Sequence, residues 1–455
     1  MSIKLRDYQE LLVNNTRQSF KSKKKRPLIV APVGAGKTVF FSHMVSLSVK
    51  RGNKVLVLAH RDELLDQIST TLRLFKVPHS FISGRRTFLP SMPVQVGSVM
   101  TVINRLNLFT PDLIILDEAH HATNNNSFGK IINYYDVFTI GVTATPCRLS
   151  GEPLGDVFDD MILAPTMSEL ISMGYLSDYR LFASAEFKTD NLRMTAGDYN
   201  KQDLEKEVDK PQITGSAINE YKNYLSKKRA VVFCVSVKHS ENVAAEFMKH
   251  NIPSASIDGK MTSTKRKSII ENFKSDKIKV ITNCNIITEG FDLPAIEGVI
   301  LLRPTQSLSL YIQMMGRALR VFQGKTEAII LDHVGNVKRH GLPDQDHEWS
   351  LSGSKKRSKK SPDSFSVRIC SNCFGANIST NKVCKYCNTP FPIANREIEE
   401  VDGTLLEVDK KALRKQKLRE QGRASTMDEL IQLGISRGYK NPRAWARFVY
   451  KSRNK

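Results

Sequence analysis

The sequence predicts an α/β protein with two tandem parallel-sheet lobes, followed by a small cysteine module and a basic helical extension. Three observations predict it. Two stretches alternate short apolar runs with helix-length segments, the pattern of stacked strand–helix–strand units. Four cysteines fall as two close pairs near the carboxyl end. Positive charge gathers there too: of a net charge of +22, residues 351–455 carry 23 basic against 10 acidic residues.

The first lobe is expected over 1–165, with strands in "PLIVA", "KVLVLAH", "PVQVGSV", "LIILDEAH" and "TIGVTAT". Such unbroken apolar runs suit strands covered on both faces. Residues 166–228 are more mixed and read as a hinge with bridging helices. The second lobe, 229–345, repeats the pattern in "AVVFCVS", "SASIDG", "KVITNC", "GVILLRP" and "AIILDHV". Residues 346–367 form a basic, Ser-rich linker without periodicity. The cysteine module spans 368–392 and the basic helical extension 393–455. In the extension, Thr426 and Glu429 form a capping box opening "MDELIQLG", with Gly434 expected to end that helix. Asn441-Pro442 starts a second helix, "RAWARFVYKSR". Trp445, Phe448 and Val449 share one face of it, and Arg443, Arg447 and Lys451 another. That helix either packs its aromatics on the body or binds nucleic acid or a partner.

A chain of 455 residues has room for two or three domains, and 40% apolar with 25% charged residues is ordinary for globular protein. The charge is not ordinary, and it points to a polyanionic partner. The opening "MSIKLRDYQE" has no apolar signal-peptide core, and no apolar run approaches the roughly 20 residues of a membrane span. Cys147, Cys234 and Cys284 are scattered and read as reduced thiols. The paired cysteines suggest metal in a reducing compartment, so the cytoplasm is the expected location, with no membrane partner.

Two motifs carry chemistry. "APVGAGKT", 31–38, follows a strand and precedes a helix. Gly34, Ala35 and Gly36 let the backbone wrap phosphates, and the helix N-terminus favours anions. Lys37 is placed for the β- and γ-phosphates of ATP and Thr38 for Mg²⁺. Ala31 stands where the strict phosphate-loop pattern has its first glycine. In "LIILDEAH" two acids end a buried strand and need a cation or solvent. Asp117 would meet the same Mg²⁺, and Glu118 would orient and deprotonate the attacking water.

Residues 3–340 resemble the superfamily-two helicases of the DEAH-box type. "RDYQ", "LAHRDEL", "TATP", "TEGFD" and "QMMGRALR" match family motifs in order. The resemblance implies two RecA-like lobes, with Gln9 reading adenine and Gly290 and Asp292 at the nucleotide. It implies Gln313 positioning the water or γ-phosphate, and His120, Thr143 and Thr145 relaying between nucleotide and track. Arg317 and Arg320, three apart on a helix of the second lobe, suit arginine fingers that act only when the lobes close. A solvated basic helix end is the plainer reading of both, as an ordinary hydrogen-bonded histidine is of His120. By position in the family, Arg61, Ser98, Thr101, Ser236, Lys238 and Thr288 would touch nucleic acid. DNA is favoured over RNA, because the chain has "TAT" and "QMMGR" where the RNA-unwinding branch has "SAT" and "HRxGR".

Cys370, Cys373, Cys384 and Cys387 have the spacing of a structural tetrahedral Zn²⁺ site, with two disulfides as the alternative. The zinc module and "GYK…AW" tail make the chain similar to RadD-like DNA helicases of bacteria and their phages. The implied function is an ATP-dependent DNA helicase or translocase in repair, recombination or replication, with a protein partner at the zinc module or C-terminal helix. A nucleoprotein-remodelling ATPase, an RNA helicase, a restriction-complex motor and a non-catalytic scaffold are the other readings.

Overall fold

The structure, a computed structural model, describes residues 3–183 apart from 85 and 149–151, then 193–195, 198–208, 211–284, 286–287, 296–352 apart from 346 and 348, 367–391, and 420–453 apart from 423, 425 and 438–441. Every apolar run named above is a strand. The first lobe contains β1 (Pro27–Val30), β2 (Val55–Ala59), β3 (His79–Ile82), β4 (Val94–Ser98), β5 (Leu113–Asp117), β6 (Phe138–Thr143) and β7 (Asp160–Leu163). They form one parallel sheet in the order β3-β4-β2-β5-β6-β1-β7. β1, β2 and β5 are buried at every position, as strands covered by helices on both faces must be. The edge strands β3 and β7 lack that run: part of each faces solvent, so hydropathy alone does not mark them.

The second sheet gathers β8 (Tyr179–Ala183), β11 (Ala230–Phe233), β12 (Ser254–Ile257), β13 (Val280–Asn283), β14 (Gly298–Leu301) and β15 (Ala328–Asp332) in the parallel order β12-β13-β11-β14-β15-β8. The hairpin β9 (Met194–Thr195) and β10 (Asp198–Tyr199) stands outside it. Thus 166–228, expected as a hinge, supplies the second sheet with its edge strand. It also supplies the helix Pro211–Tyr224, whose Tyr221 ring packs edge-on against Phe247 at 5.6 Å. Asp198 holds the hairpin to the second lobe, accepting from Thr305 Oγ1 at 2.8 Å and Gln306 N at 2.7 Å.

The cysteine module is built on the antiparallel pair β16 (Val367–Ile369) and β17 (Ala376–Ile378). It docks on the exposed edge of β8. Ala183 N donates to Phe374 O at 3.0 Å, Phe182 bridges to Gly375, and the Phe182 ring lies 5.8 Å from that of Tyr386. An open sheet edge is thereby covered, which removes a site of unwanted pairing. Before the module the chain returns to the first lobe: Trp349 and Leu351 pack beside Leu154, Val157 and Phe158, and Gly155 N donates to Leu351 O at 2.8 Å. Residues 353–366, most of the expected linker, lie outside the described residues.

Residues 393–455 are a separate compact unit. Thr426 caps the helix Met427–Ser436 with the reciprocal Glu429 bond that the sequence expects. Gly434 does not end that helix. It lies inside it, where a methyl group would be 3.0 Å from Pro442 Cβ and 3.1 Å from Trp445 Cε3, so its missing side chain lets the helix Pro442–Arg453 approach. Trp445 is half-buried against Leu430, Ala446 and Val449 within this unit, Arg443 and Arg447 are exposed, and the side chains of Phe448 and Lys451 lie outside the described residues. Among the described residues no helix is long and apolar enough to cross a membrane.

Candidate active site and metal centre

The phosphate loop leaves the carboxyl end of β1 and enters the helix Lys37–Val49 through Gly36. Gly34 and Gly36 have φ of 87° and 74°, a region costly to residues with a Cβ. Gln9 lies beneath the loop: its Nε2 donates to Ala35 O at 3.0 Å while its Oε1 accepts from Arg6 N at 3.1 Å. Tyr8 Oη donates to the same carbonyl at 2.7 Å. Lys37 and Thr38 occupy the first turn and remain partly open.

One strand separates the loop from the acid pair. β6 runs between β1 and β5, and Ala31 N donates to Thr143 O at 2.9 Å. Asp117 and Glu118 are both buried at the end of β5. Glu118 holds left-handed backbone, φ 51°, which costs a side-chain-bearing residue about 1 kcal/mol. Asp117 Oδ1 accepts from Glu118 N at 3.0 Å. Buried acids of this kind are stable only beside cations or donors, so the site suits a divalent ion.

From Glu118 a chain of polar contacts runs to the second lobe. His120 Nδ1 lies 3.4 Å from Glu118 Oε2 and 2.9 Å from Thr143 Oγ1. Thr143 Oγ1 donates to Thr145 O at 3.2 Å and accepts from Thr145 N at 3.3 Å. Thr145 Oγ1 then donates across the cleft to Ser309 Oγ at 2.5 Å, and Gln313 Nε2 stands 3.5 Å from that oxygen. Ser309 was not anticipated. The available signal was its position one helical turn before Gln313.

The helix Leu308–Gly316 brings the second lobe onto the loop. A methyl group on Gly316 would lie 2.5 Å from Val33 Cβ, and one on Gly34 would lie 3.9 Å from Arg320 Cγ. Arg317 is the buried C-cap of that helix. Arg320 is not on the same helical face as expected: it lies past the helix end, in an antiparallel bridge with Leu176 that stops further winding. Both arginines nevertheless belong to the segment facing the phosphate loop. Gly290, Asp292 and Thr288 lie outside the described residues.

The candidate track residues cluster at carboxyl ends of strands, where ligands meet parallel sheets. Arg61 caps the helix Asp62–Leu74 after β2, with Nε donating to His60 Nε2 at 3.2 Å. Rings continue from there: His60 to His121 at 4.7 Å, and His121 to His120 at 4.1 Å. Arg61 is thereby connected to the acid pair. Ser98 ends β4 and caps the short helix Val99–Val102 containing Thr101. Ser236 follows β11, but its hydroxyl is engaged, accepting from His239 N at 3.0 Å and donating to Glu205 at 2.6 Å. Lys238 is exposed.

The four sulfurs of Cys370, Cys373, Cys384 and Cys387 lie within 4.8 Å of one another, and Cys370–Cys387 and Cys373–Cys384 are each 3.6 Å apart. The edge of a tetrahedron with Zn–S bonds is about 3.8 Å, whereas a disulfide is about 2 Å. None of the seven cysteines is in a disulfide. Donors surround the sulfurs: Asn377 Nδ2 and Tyr386 N each reach Cys384 at 3.4 Å. Thr389 holds the Cys387 thiol down to about 6 by its hydroxyl and backbone bonds. The residues present fit a four-thiolate metal centre.

Two family models match: "Type III restriction enzyme, res subunit" over residues 2–148 and "Helicase conserved C-terminal domain" over 212–322. These matches, with the two lobes and their cleft, place the chain in superfamily two of the helicases, a class of ATP-hydrolysing motors. Within it, the chain belongs to one family with the 51.5 kDa protein of Lactococcus phage (isolate 7-9), 33% identical over 86% of this chain and 83% of that protein. A Saccharomyces cerevisiae protein named as an ATP-dependent helicase, IRC3, is 31% identical over 73% of this chain; the chain spans about half of its length, 51%. Among solved structures, a fragment named as an HsdR subunit of a type I restriction enzyme from Vibrio vulnificus YJ016 shares the fold, with a TM-score of 0.58 and 22% identity over 74% of this chain and 65% of that one.

Proposed function

We propose that this ATP-dependent nucleic-acid helicase or translocase is a DNA motor of DEAH-box type, similar to the RadD-like enzymes and acting in repair, recombination or replication. The polar chain from Glu118 through His120, Thr143, Thr145 and Ser309 to Gln313 carries the reading, because it joins hydrolytic residues of both lobes. Lys37, Thr38 and Asp117 would hold Mg²⁺-ATP, the ion supplying charge neutralisation at the phosphates. Glu118 accepts the proton of the attacking water, and Gln313 orients that water. Arg317 and Arg320 stabilise charge on the transferring phosphoryl group. Thr145 and Ser309 report the state of the cleft from one lobe to the other, and the Arg61–His60–His121 row couples it to the track. Arg61, Ser98, Thr101, Lys238 and Thr288 contact backbone phosphates, and Ser236 does so on release from Glu205.

DNA rather than RNA follows from "TAT" and "QMMGR" in this chain, while its basic tail suits a polyanion of either kind. Zn²⁺ is the metal that suits four thiolates at this spacing, and free thiols agree with a cytoplasmic setting. A replication or repair protein is the expected partner of the zinc module or the C-terminal helices. ATPase rates measured in parallel without nucleic acid and with single-stranded DNA, duplex DNA and RNA test the assignment, beside unwinding of duplexes with 3′ and 5′ overhangs. Stimulation by DNA several-fold above RNA supports it. Preference for RNA, or no stimulation by any polymer, removes it.

A further inference from the structure

Lys325 follows the arginine segment, in the loop leading to β15. Its Nζ donates to three backbone carbonyls: Ile296 at 3.1 Å, Arg320 at 3.0 Å, and Ala318. Those carbonyls come from two different segments. Ile296 lies just before β14, and Ala318 and Arg320 belong to "GRALR". An ammonium has three protons, and here each has an acceptor. The carbonyls after a helix end have no intrahelical donors, so the lysine satisfies groups that the helix leaves unmet.

Residues 318–320 are held from the other side as well. Ser177 N donates to Leu319 O at 2.8 Å, and Leu176 forms the bridge to Arg320 while its side chain rests against Gly34. The backbone of Arg320 is therefore gripped between Leu176–Ser177 and Lys325, with its Cγ close to Gly34 of the phosphate loop. Lys325 itself is half-buried, its ammonium 5.4 Å from the Phe322 ring centroid, and Glu297 is the carboxylate whose field reaches it.

We infer that Lys325 is a positioning residue for ATP turnover: its ammonium ties Ile296 to the "GRALR" segment and aims Arg320 at the phosphates. The inference rests on the arginine role given under Proposed function. Burial pushes the Lys325 ammonium down to about 8, with Glu297 opposing. The sign follows directly: below that pH the charged clamp is present, and above it the clamp weakens. Turnover should therefore decline on the alkaline side.

The test uses the full chain with saturating single-stranded DNA, comparing Lys325→Met, Lys325→Arg, Arg320→Ala and the Lys325→Met/Arg320→Ala pair. Lys325→Met should lower kcat about tenfold with KM for ATP within about twofold, since orientation of a finger rather than ground-state binding is lost. Lys325→Arg should restore most of the rate and abolish the alkaline decline. In the Arg320→Ala background the Met change should add nothing. Wild-type kcat in Lys325→Met, or an undiminished loss in the double variant, overturns the inference while leaving the arginine role intact. Unchanged kcat in Arg320→Ala instead removes the arginine role, and the inference with it. If Lys325→Met fails to fold, the pH profile of Lys325→Arg decides: an alkaline decline that persists unchanged overturns the clamp.

Discussion

Glu118 shows how single residues carry the engine. Its backbone is strained, its side chain is buried, and its carboxylate lies beside His120 rather than in open solvent. Glu118→Gln should keep ATP binding while lowering kcat at least about 100-fold, because the proposed proton acceptor is gone and the shape remains. Lys37→Ala should lose both binding and turnover; a nucleotide-binding assay beside the ATPase assay separates the two. Ser309→Ala removes the bridge with Thr145. One hydrogen bond contributes about 1 kcal/mol, so DNA-stimulated ATPase should fall roughly fivefold while the basal rate stays within about twofold. An equal fall in both rates would show that Ser309 acts in chemistry rather than in coupling.

Among elements, β8 and the cysteine module depend on each other. β8 is an edge strand whose outer side is covered by Phe374 and Gly375, and Phe182 stacks on Tyr224 at 4.0 Å. A module of some 25 residues cannot hold its shape without metal or a larger core. Removing the proposed metal, or Cys384→Ser, should therefore unfold the module and expose the edge. We expect a Tm lower by on the order of 5 °C, read by calorimetry, together with a rise in aggregation. In the separate C-terminal unit, Thr426→Ala loses a capping box and should cost about 1 kcal/mol of that unit's stability, read as lost helical signal. The same elements show where sequence reading stops. β1, β2, β5 and β15 are legible because burial on both faces leaves an apolar run. β3 and β7 are not, because part of each faces solvent and interrupts that run. Gly434 misled for a related reason: a glycine can stop a helix or admit a neighbour, and only the neighbour tells which.

At the scale of the whole molecule, closure is distributed. Thr145–Ser309 lies at the nucleotide side, and Arg266 Nη1 donates to Glu63 Oε1 at 2.7 Å between the lobes near Arg61. Trp349 and Leu351 bring the chain back from the second lobe to the first lobe's core. The charge excess in residues 351–455 is a separate device. Deleting residues from 354 onward should weaken nucleic-acid binding and flatten its salt dependence, each lost phosphate contact reducing the log–log slope by roughly 0.7 for a single strand. Because the deletion also takes the metal module, an Arg443→Ala/Arg447→Ala variant should show a smaller change of the same sign with no loss of Tm.

The linear chain determined which residues are candidates for the site: the phosphate loop, the acid pair, the arginines and the four cysteines are each short patterns whose chemistry is local. Tertiary structure decided how they meet. It placed β6 between β1 and β5, so that Thr143 and Thr145 sit between loop and acids, and it set Ser309 opposite Thr145. It also carried Arg320 past the end of its helix and put Lys325 on the carbonyls of two segments. Hydropathy and motif spacing describe neighbours along the backbone, whereas these contacts join residues far apart in the chain, and only packing of the two sheets brings their hydrogen-bonding groups within 3 Å or so.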